Sequence, residues 1–168
     1  VNIGQGGALQ TGMDFAKQLN ATAVVHFDAD GQHRASDIEV LLRPVLEGDC
    51  DIVFGSRFLQ QSSMHIPFFR KIFLQLARHI NWMFTGILLT DAHNGLRALN
   101  KRALQSIYFS ENKMAHASEI LWLIKEHNLS YREVPVTIEY TEYSRNKGQS
   151  LWNSVNIIFD LLFKKINR

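Results

Sequence analysis

The chain has only one cysteine, Cys50, among its 168 residues. A lone cysteine excludes an internal disulfide framework and a zinc site built from several cysteines, and it suits a reducing compartment. Long apolar runs are also missing, since none approaches the roughly 18 residues that a membrane-spanning helix needs, and the first residues lack the basic and apolar regions of a signal peptide. We therefore expect neither a membrane span nor an export signal.

An excess of one charge is missing as well, because 18 lysines and arginines nearly balance 16 aspartates and glutamates and leave a formal net charge of +2. This charge is too small for a dedicated nucleic-acid binder, although local basic patches can still meet phosphates or anionic lipid. Hydrophobic residues make up 46% of the chain, which at this length predicts one globular domain with a sizeable core.

Helix and strand patterns alternate in the first third of the chain. Ser36 followed by Glu39 matches a capping box at the start of one helix, and Gly48 ends that helix. Such alternation favours a parallel sheet covered by helices. The segments are a flexible stretch over residues 4–7, a helix over 8–19, a strand over 21–27, the helix between Ser36 and Gly48, and a strand over 51–57.

The rest of the chain contains further helical patterns and one more strand, in which Pro135 indicates an edge or irregular position. The segments are an amphipathic helix over residues 66–89, a loop over 90–100, helices near 101–108 and 117–128, the strand over 131–143, a basic loop over 144–150 and an amphipathic helix over 151–166.

Two aspartates, Asp28 and Asp30, follow the first predicted strand and precede a turn glycine, Gly31. In an extended segment residues i and i+2 point the same way, so both carboxylates project past the strand end, where open α/β sheets bind ligands. Their mutual repulsion favours a bound cation. Mg²⁺ or Mn²⁺ fits, because such hard ions often take one or two carboxylates while substrate phosphates supply the other oxygens. The pair therefore predicts a phosphorylated substrate.

The aspartate pair has three other interpretations. A solvated surface turn uses the same residue types. An EF-hand-type calcium loop needs glycine at its sixth position, where this chain has His33, and follows a helix. A phosphatase of the haloacid dehalogenase type also ends a strand in an Asp-x-Asp-Gly turn, but Gln32 replaces its usual Thr or Val. A histidine metal site is not expected, because the spacing of His26, His33 and His93 matches no common ligand set.

Six motifs cover nearly the whole chain in a fixed order: NIGQGGALQTG, VVHFDADGQH, DIVFGSR, TDAHNGLRALN, EVPVTI and YSRNKGQS. Together they resemble family 2 glycosyltransferases of the GT-A fold, in the branch of dolichyl-phosphate mannose synthase and bacterial polyprenyl-phosphate glycosyltransferases. The resemblance implies a three-layer α/β fold with a mixed, mostly parallel sheet. It also implies inverting transfer of a sugar from a UDP- or GDP-sugar to a polyprenyl phosphate-type acceptor in cell-envelope glycan synthesis.

The resemblance also implies roles for residues at the predicted strand ends. Asp28 would lie near the ribose and the metal, and Asp30 would be the principal ligand of Mg²⁺ or Mn²⁺. Gln32 would neighbour the donor, while Ser56 and Arg57 would face the transferred sugar and the phosphates. These five residues form the expected donor site.

Further roles are implied later in the chain. Arg145 and Lys147 match a mobile basic loop that would close over the diphosphate. Asp91 is the candidate base or sugar-positioning residue, and Arg97 a phosphate partner on the acceptor side. A lipid phosphate is already an anion and needs little help from a base, so Asp91 would matter more for positioning.

The acceptor side has a match and a departure. Glu119 sits where related enzymes place a catalytic-site acidic residue near the acceptor, and Arg70 matches the family's acceptor helix. A serine expected one turn later is Leu74, which departs from dolichyl-type phosphate recognition. The amphipathic helices over residues 66–89 and 151–166 suit a membrane interface, on the cytoplasmic face, with core packing as the alternative.

The resemblance begins partway into the family's catalytic domain, because the family's first strand and its base-binding acidic residue have no counterpart here. We therefore expect residues 1–150 to form a partial, N-terminally truncated GT-A domain and residues 151–168 an amphipathic helix. The strand before Asp28 would then expose an edge that favours pairing in a homo-oligomer. The alternative function is that of an inactive remnant acting as a membrane-surface or self-associating module.

Overall fold

A computed structural model describes residues 3–59, 78–79, 82–83, 85–92, 94–110 and 116–139, without the side chain of Ser118. The predicted helix over residues 66–89 lies largely outside these ranges. The basic loop over 144–150 and the helix over 151–166 lie entirely outside them, as do Arg70, Leu74, His93, Arg145 and Lys147.

The elements of the described residues follow the predicted alternation. They are α1 (Gly4–Gln18), β1 (Ala23–His26), α2 (Asp37–Leu46), β2 (Ile52–Ser56), β3 (Arg97–Asn100), α3 (Lys101–Ser106), α4 (His116–Glu126) and β4 (Tyr131–Pro135). No helix in these ranges is long and apolar enough to cross a membrane.

The four strands form one mixed sheet in the order β1-β3-β2-β4. β3 runs antiparallel to both of its neighbours, while β4 is parallel to β2. β1, β2 and β4 therefore point the same way, and the prediction of a mixed sheet is confirmed, with two antiparallel pairings and one parallel pairing among the described strands. Pro135 ends the outer strand β4, in agreement with the predicted edge position, because an outer strand can do without one N–H.

Helices cover both faces of the sheet and complete three layers. On one face, Ile52 and Leu99 pack with Met13 of α1, Leu104 of α3 and Ile120 of α4. On the other face, α2 supplies the apolar cover, through Leu41 and Val45 packed on Val53 and Ala98. Each fully buried aliphatic side chain stabilises the fold by about 1.5–3 kcal/mol. This apolar body holds the strand ends in fixed positions.

Three local predictions are wrong. Residues 97–100 were expected in a loop but form β3, which is buried on both faces and so lacks the polar alternation of a surface strand. Residues 4–7 were expected to be flexible but form the first turn of α1, with Gly6 and Gly7 buried. The last strand was expected over residues 131–143 but ends at Pro135, and the described residues 136–139 do not continue it.

The predicted capping box at Ser36 is also wrong, although α2 begins at the expected place. Ser36 has helical backbone angles, φ −60° and ψ −26°, and its side chain makes no capping hydrogen bond. The carboxylate of Asp37 instead accepts a hydrogen bond from the Thr137 N–H at 2.8 Å. Gly48, at φ +79°, follows the helix as predicted.

Candidate active site

Cross-strand pairing places one row of side chains just below the ends of β1 and β2. The partners in this row are His26 on β1, Arg97 on β3, Phe54 on β2 and Glu133 on β4. Paired residues share a face of the sheet, so the four side chains lie on the face covered by α1, α3 and α4. On β1, β3 and β2 the neighbouring row of that face, Val24, Leu99 and Ile52, is apolar. The sheet face thus changes from apolar to charged near the strand ends.

Asp28 lies immediately beyond this row, against Gly95. A Cβ added to Gly95 would overlap the Asp28 carboxylate, so any larger residue there would force that carboxylate to shift. On its other side, Asp28 Oδ1 accepts a hydrogen bond at 3.1 Å from the side-chain amide of Gln5, in the first turn of α1. The carboxylate is therefore fixed between the start of α1 and the turn that leads into β3.

Asp30 is held by a local turn. Its Oδ1 accepts the Gln32 N–H at 3.0 Å, and Gly31 between them has φ +78°, a conformation that favours glycine. Within the ranges that the structure describes, neither Asp28 nor Asp30 forms an ion pair with a lysine, arginine or histidine. Two carboxylates therefore stand at this strand end without a salt-bridge partner among the described residues.

His33 lies in the same loop as Asp28 and Asp30, which we call the carboxylate loop. Its ring lies 5.9 Å from that of Phe27, and its backbone forms a bridge to Ile138. Partial burial lowers the pKa of His33, although the charges of Asp28 and Asp30 act in the opposite direction. The imidazole is therefore neutral at pH 7, and its Nδ1 has no hydrogen-bond partner among the described residues.

Residues just after β4 hold the same loop in place. The Glu139 N–H donates to the Gln32 carbonyl at 2.8 Å, and the Arg34 guanidinium pairs with the Glu139 carboxylate at 2.6 Å. The loop that bears Asp28 and Asp30 is thus attached to residues 137–139, which precede the predicted basic loop in the sequence.

Arg57 and the buried Asp91 form a two-pronged, partly buried ion pair at the end of β2. The guanidinium donates from Nε to Asp91 Oδ2 at 2.7 Å and from Nη2 to Oδ1 at 2.8 Å, and the Arg57 N–H adds a third bond at 3.1 Å. Asn94 donates a longer bond to Oδ2 at 3.4 Å. Because Asp91 is only 3% exposed and accepts four donors, its carboxylate is fully engaged.

Arg97 is buried beneath this pair, with 1% of its surface exposed. Its Nε donates to the Asn94 carbonyl at 3.1 Å, and its guanidinium lies 5.6 Å from the ring centre of Phe54. Burial lowers the pKa of Arg97 to about 10, while Asp28 and Asp91 oppose the shift. The side chain stays charged at pH 7, so its positive charge lies beneath both carboxylates.

Two buried histidines lie beside Arg97. Burial, together with the charges of Arg97 and His116, lowers the pKa of His26 to about 3. Neither ring nitrogen of His26 has a hydrogen-bond partner within the described residues. The ring of Phe109 packs near both imidazoles, with its centre 6.1 Å from that of His26 and 5.9 Å from that of His116. The expectation that His26 is structural stays a prediction.

The structure brings together most of the sequence-predicted site residues that it describes: Asp28, Asp30, Gln32, Ser56, Arg57, Asp91 and Arg97. Glu119 lies in the first turn of α4, where its carboxylate accepts hydrogen bonds from the N–H and hydroxyl of Ser110. Sequence reasoning missed Gln5 and Glu133, each of which contacts this group from a distant part of the chain.

The chain belongs to glycosyltransferase family 2, since residues 1–108 match the family model described as glycosyl transferase family 2. The α/β fold and the carboxylate loop at the end of β1 agree with that assignment, and the protein is a glycosyltransferase by class. The predicted family and fold class are confirmed, and the phosphatase alternative has no support.

Three curated relatives show which members of the family are similar in sequence to this chain. An uncharacterised protein of Methanocaldococcus jannaschii is 34% identical, over 99% of this chain and 70% of the relative. The UDP-N-acetylglucosamine–dolichyl-phosphate N-acetylglucosaminyltransferase of Methanococcus voltae is also 34% identical, over 99% of this chain and 68% of the relative. The polyprenol monophosphomannose synthase of Mycolicibacterium smegmatis is 27% identical, over 92% of this chain and 58% of the relative.

Proposed function

We propose that the protein transfers a sugar from a UDP- or GDP-sugar to a polyprenyl phosphate-type lipid, with inversion at the anomeric carbon, in cell-envelope glycan synthesis. Two relatives carry names that specify a dolichyl phosphate or polyprenol phosphate product or acceptor. The observation that carries the proposal is the meeting of Asp28 with Gly95 beside the Arg57–Asp91 pair, at the ends of β1, β3 and β2. Strand ends are where open α/β sheets bind nucleotides.

A divalent cation, Mg²⁺ or Mn²⁺, fits the proposed donor site. Asp28 and Asp30 offer hard carboxylate oxygens that accept, within the described residues, only neutral donors from Gln5 and Gln32. No three His, Cys, Asp or Glu side chains in those residues gather into a complete metal cage. Two carboxylates suffice when a diphosphate supplies further oxygens. The bound cation would neutralise charge on the diphosphate leaving group.

The remaining described residues orient the reactants. In the proposed reaction a phosphate oxygen of the acceptor forms a bond to the anomeric carbon, and the bond from that carbon to the donor diphosphate breaks, with its electron pair leaving on the diphosphate. Arg57 and Ser56, at the end of β2, would face the sugar and phosphates. Asp91 would act by holding Arg57, because its carboxylate is buried and accepts four N–H donors. An anionic acceptor needs no proton removed.

The acceptor side of the proposal rests on fewer contacts. Glu119 would lie near the lipid phosphate, with its carboxylate oriented by Ser110. Arg97 would act there through its charge, since its side chain is buried. Arg70, Arg145 and Lys147 belong to the proposal through the family resemblance alone. A lipid acceptor implies work at a membrane surface, which we place on the cytoplasmic face.

Calorimetric titration with UDP- and GDP-sugars in the presence of Mn²⁺ tests the donor site. We expect metal-dependent heat of binding with either the UDP-sugars or the GDP-sugars. The affinity for that donor should fall at least tenfold in Asp30→Asn. Glu126→Gln, on the exposed side of α4, is the matched control and should bind as the unsubstituted chain does. No metal-dependent heat with any donor would favour the inactive remnant over the enzyme.

A further inference from the structure

Glu133 on β4 binds the peptide that carries Asp91. Its two carboxylate oxygens accept the Thr90 N–H at 2.8 and 2.9 Å, and Oε1 also accepts the Asp91 N–H at 3.1 Å. The Thr90 hydroxyl lies 2.8 Å from the same oxygen. A half-buried carboxylate that accepts three donors is a rigid anchor, because hydrogen bonds to an ionised acceptor are about twice as strong as neutral ones.

The hydrogen bonds of the Thr90 hydroxyl give this network a direction. An ionised Glu133 can only accept, so the Thr90 hydroxyl donates its single proton to it. The Ser56 hydroxyl, 2.6 Å from the Thr90 oxygen, must then be the donor in that contact. Ser56 in turn accepts the Phe58 N–H at 3.2 Å. One carboxylate on β4 thus sets the hydroxyl orientation of a site residue on β2.

The same anchor reaches Arg57 through Asp91. Glu133 fixes the Asp91 backbone, and the Asp91 side chain binds the Arg57 guanidinium and N–H. Register supports this arrangement, since Glu133 pairs with Phe54 three residues before Arg57. Glu133 therefore connects to both Ser56 and Arg57, the two residues at the end of β2 that would face the donor.

We infer that Glu133 is a positioning residue for the sugar-transfer step, which it serves by fixing Ser56 directly through Thr90 and Arg57 through Asp91. This inference rests on the proposed function. Donor binding would depend mainly on Asp28, Asp30 and the cation, whereas the placement of Arg57 and Ser56 would matter when charge develops on the leaving diphosphate.

Glu133→Gln tests the inference because glutamine keeps the shape and one acceptor oxygen but loses the charge. We expect kcat for transfer to polyprenyl phosphate to fall about tenfold, in line with the loss that a small misplacement of catalytic groups produces. The affinity for donor and Mn²⁺ should stay within about twofold. Glu126→Gln is the control and should leave both quantities unchanged.

A double-mutant cycle separates positioning from simple stabilisation. In an Arg57→Ala background, Glu133→Gln should lower kcat by no more than about threefold, because Arg57 is already absent and only the effect through Thr90 and Ser56 remains. A tenfold loss that persists in that background would overturn the inference, as would unchanged kcat in Glu133→Gln. If Glu133→Gln does not fold, Thr90→Val is the second test, because it removes only the hydroxyl link between Glu133 and Ser56. It should lower kcat about threefold. An unchanged kcat in Thr90→Val would count against the inference.

Failure of the proposed function gives a different result in the same assay. An unsubstituted chain that transfers no sugar and binds no donor would count against the function, and against the inference with it. An active chain in which the cycle is additive would count against the role of Glu133 alone.

Discussion

The two ends of β2 each hold a buried aspartate that is paired with an arginine, yet only one end has the features of an active site. Before the strand, Asp51 is 5% exposed and accepts bonds from Arg102, Asn100 and Ser130. Beyond the strand, Asp91 is 3% exposed and accepts bonds from Arg57 and Asn94. Burial and an ion pair are therefore common to both ends.

The difference lies in the neighbours of each ion pair. The partners of Asp51 come from the segments around β3, α3 and β4, so that carboxylate ties the sheet together. Around Asp91 lie the charges of Asp28 and Arg97, and nearby His33 keeps a ring nitrogen without a partner among the described residues. A carboxylate that is fully hydrogen-bonded by the surrounding segments indicates a structural role. Carboxylates at strand ends that lack a salt-bridge partner among the described residues indicate a binding site for a charged ligand.

Arg57→Ala and Arg102→Ala form the pair of substitutions with the largest expected difference. Arg57→Ala should lower kcat/KM for sugar transfer about 100-fold, the size of effect seen when one donor to a developing anion is removed. Arg102→Ala should leave kcat/KM within about twofold and cost less than about 1 kcal/mol of stability, because its side chain is 59% exposed. Equal losses of activity in the two variants would contradict the comparison.

Gly95→Ala should lower transfer about tenfold, because the added Cβ would overlap the Asp28 carboxylate and displace it. Gly12→Ala in α1 is the matched control, since a Cβ there meets nothing within 4 Å. Alanine in a helix interior should raise the free energy of unfolding by about 0.5–1 kcal/mol at unchanged activity. Rate measurements and thermal denaturation on both variants check this, and a fully active Gly95→Ala would show that the position of Asp28 is unimportant.

Local sequence signals could predict that the proposed donor residues lie at strand ends, because each pair directly follows an apolar run. Asp28 and Asp30 follow an apolar run directly, and Ser56 and Arg57 follow another, so the sheet alone brings them to one edge. The same reasoning could not find Asp51, which precedes a strand and is satisfied by partners 49 to 79 residues away.

The features that could not be predicted from sequence depend on contacts between residues far apart in the chain. β3 was missed because a four-residue strand buried on both faces shows no alternation, and because Arg97 within it suggests a surface position. The burial of Arg97 depends on Asp28, Asp91 and the Phe54 ring, which only the folded sheet brings together. Glu133 begins the EVPVTI motif, but no role could be assigned to it from sequence because its partners lie 42 and 43 residues earlier.

Asp51→Asn should affect stability and leave activity unchanged. Burial alone would raise the pKa of Asp51, but hydrogen bonds from Asn100 and Ser130 and the charge of Arg102 outweigh it and lower the pKa. A carboxylate with a lowered folded pKa stabilises the protein above its unfolded pKa of about 4, and this stabilisation is lost as pH falls through the folded value. Denaturant unfolding should show a deficit of about 2 kcal/mol at pH 7 that shrinks below pH ~4. A deficit independent of pH would contradict the assignment.

Gln5→Ala should give the smallest effect, because Gln5 contributes one neutral hydrogen bond to Asp28 from an exposed position. Such a bond is worth about 0.5–1.5 kcal/mol, and exposure to water places this one at the lower end, so transfer should slow about threefold. Gln18→Ala, exposed at the other end of α1, is the control. Since Gln5 orients a carboxylate that would hold the cation, the Mn²⁺ concentration for half-maximal activity should rise with the Gln5 change alone. An unchanged metal requirement would mean that the cation, once bound, orients Asp28 without help from α1.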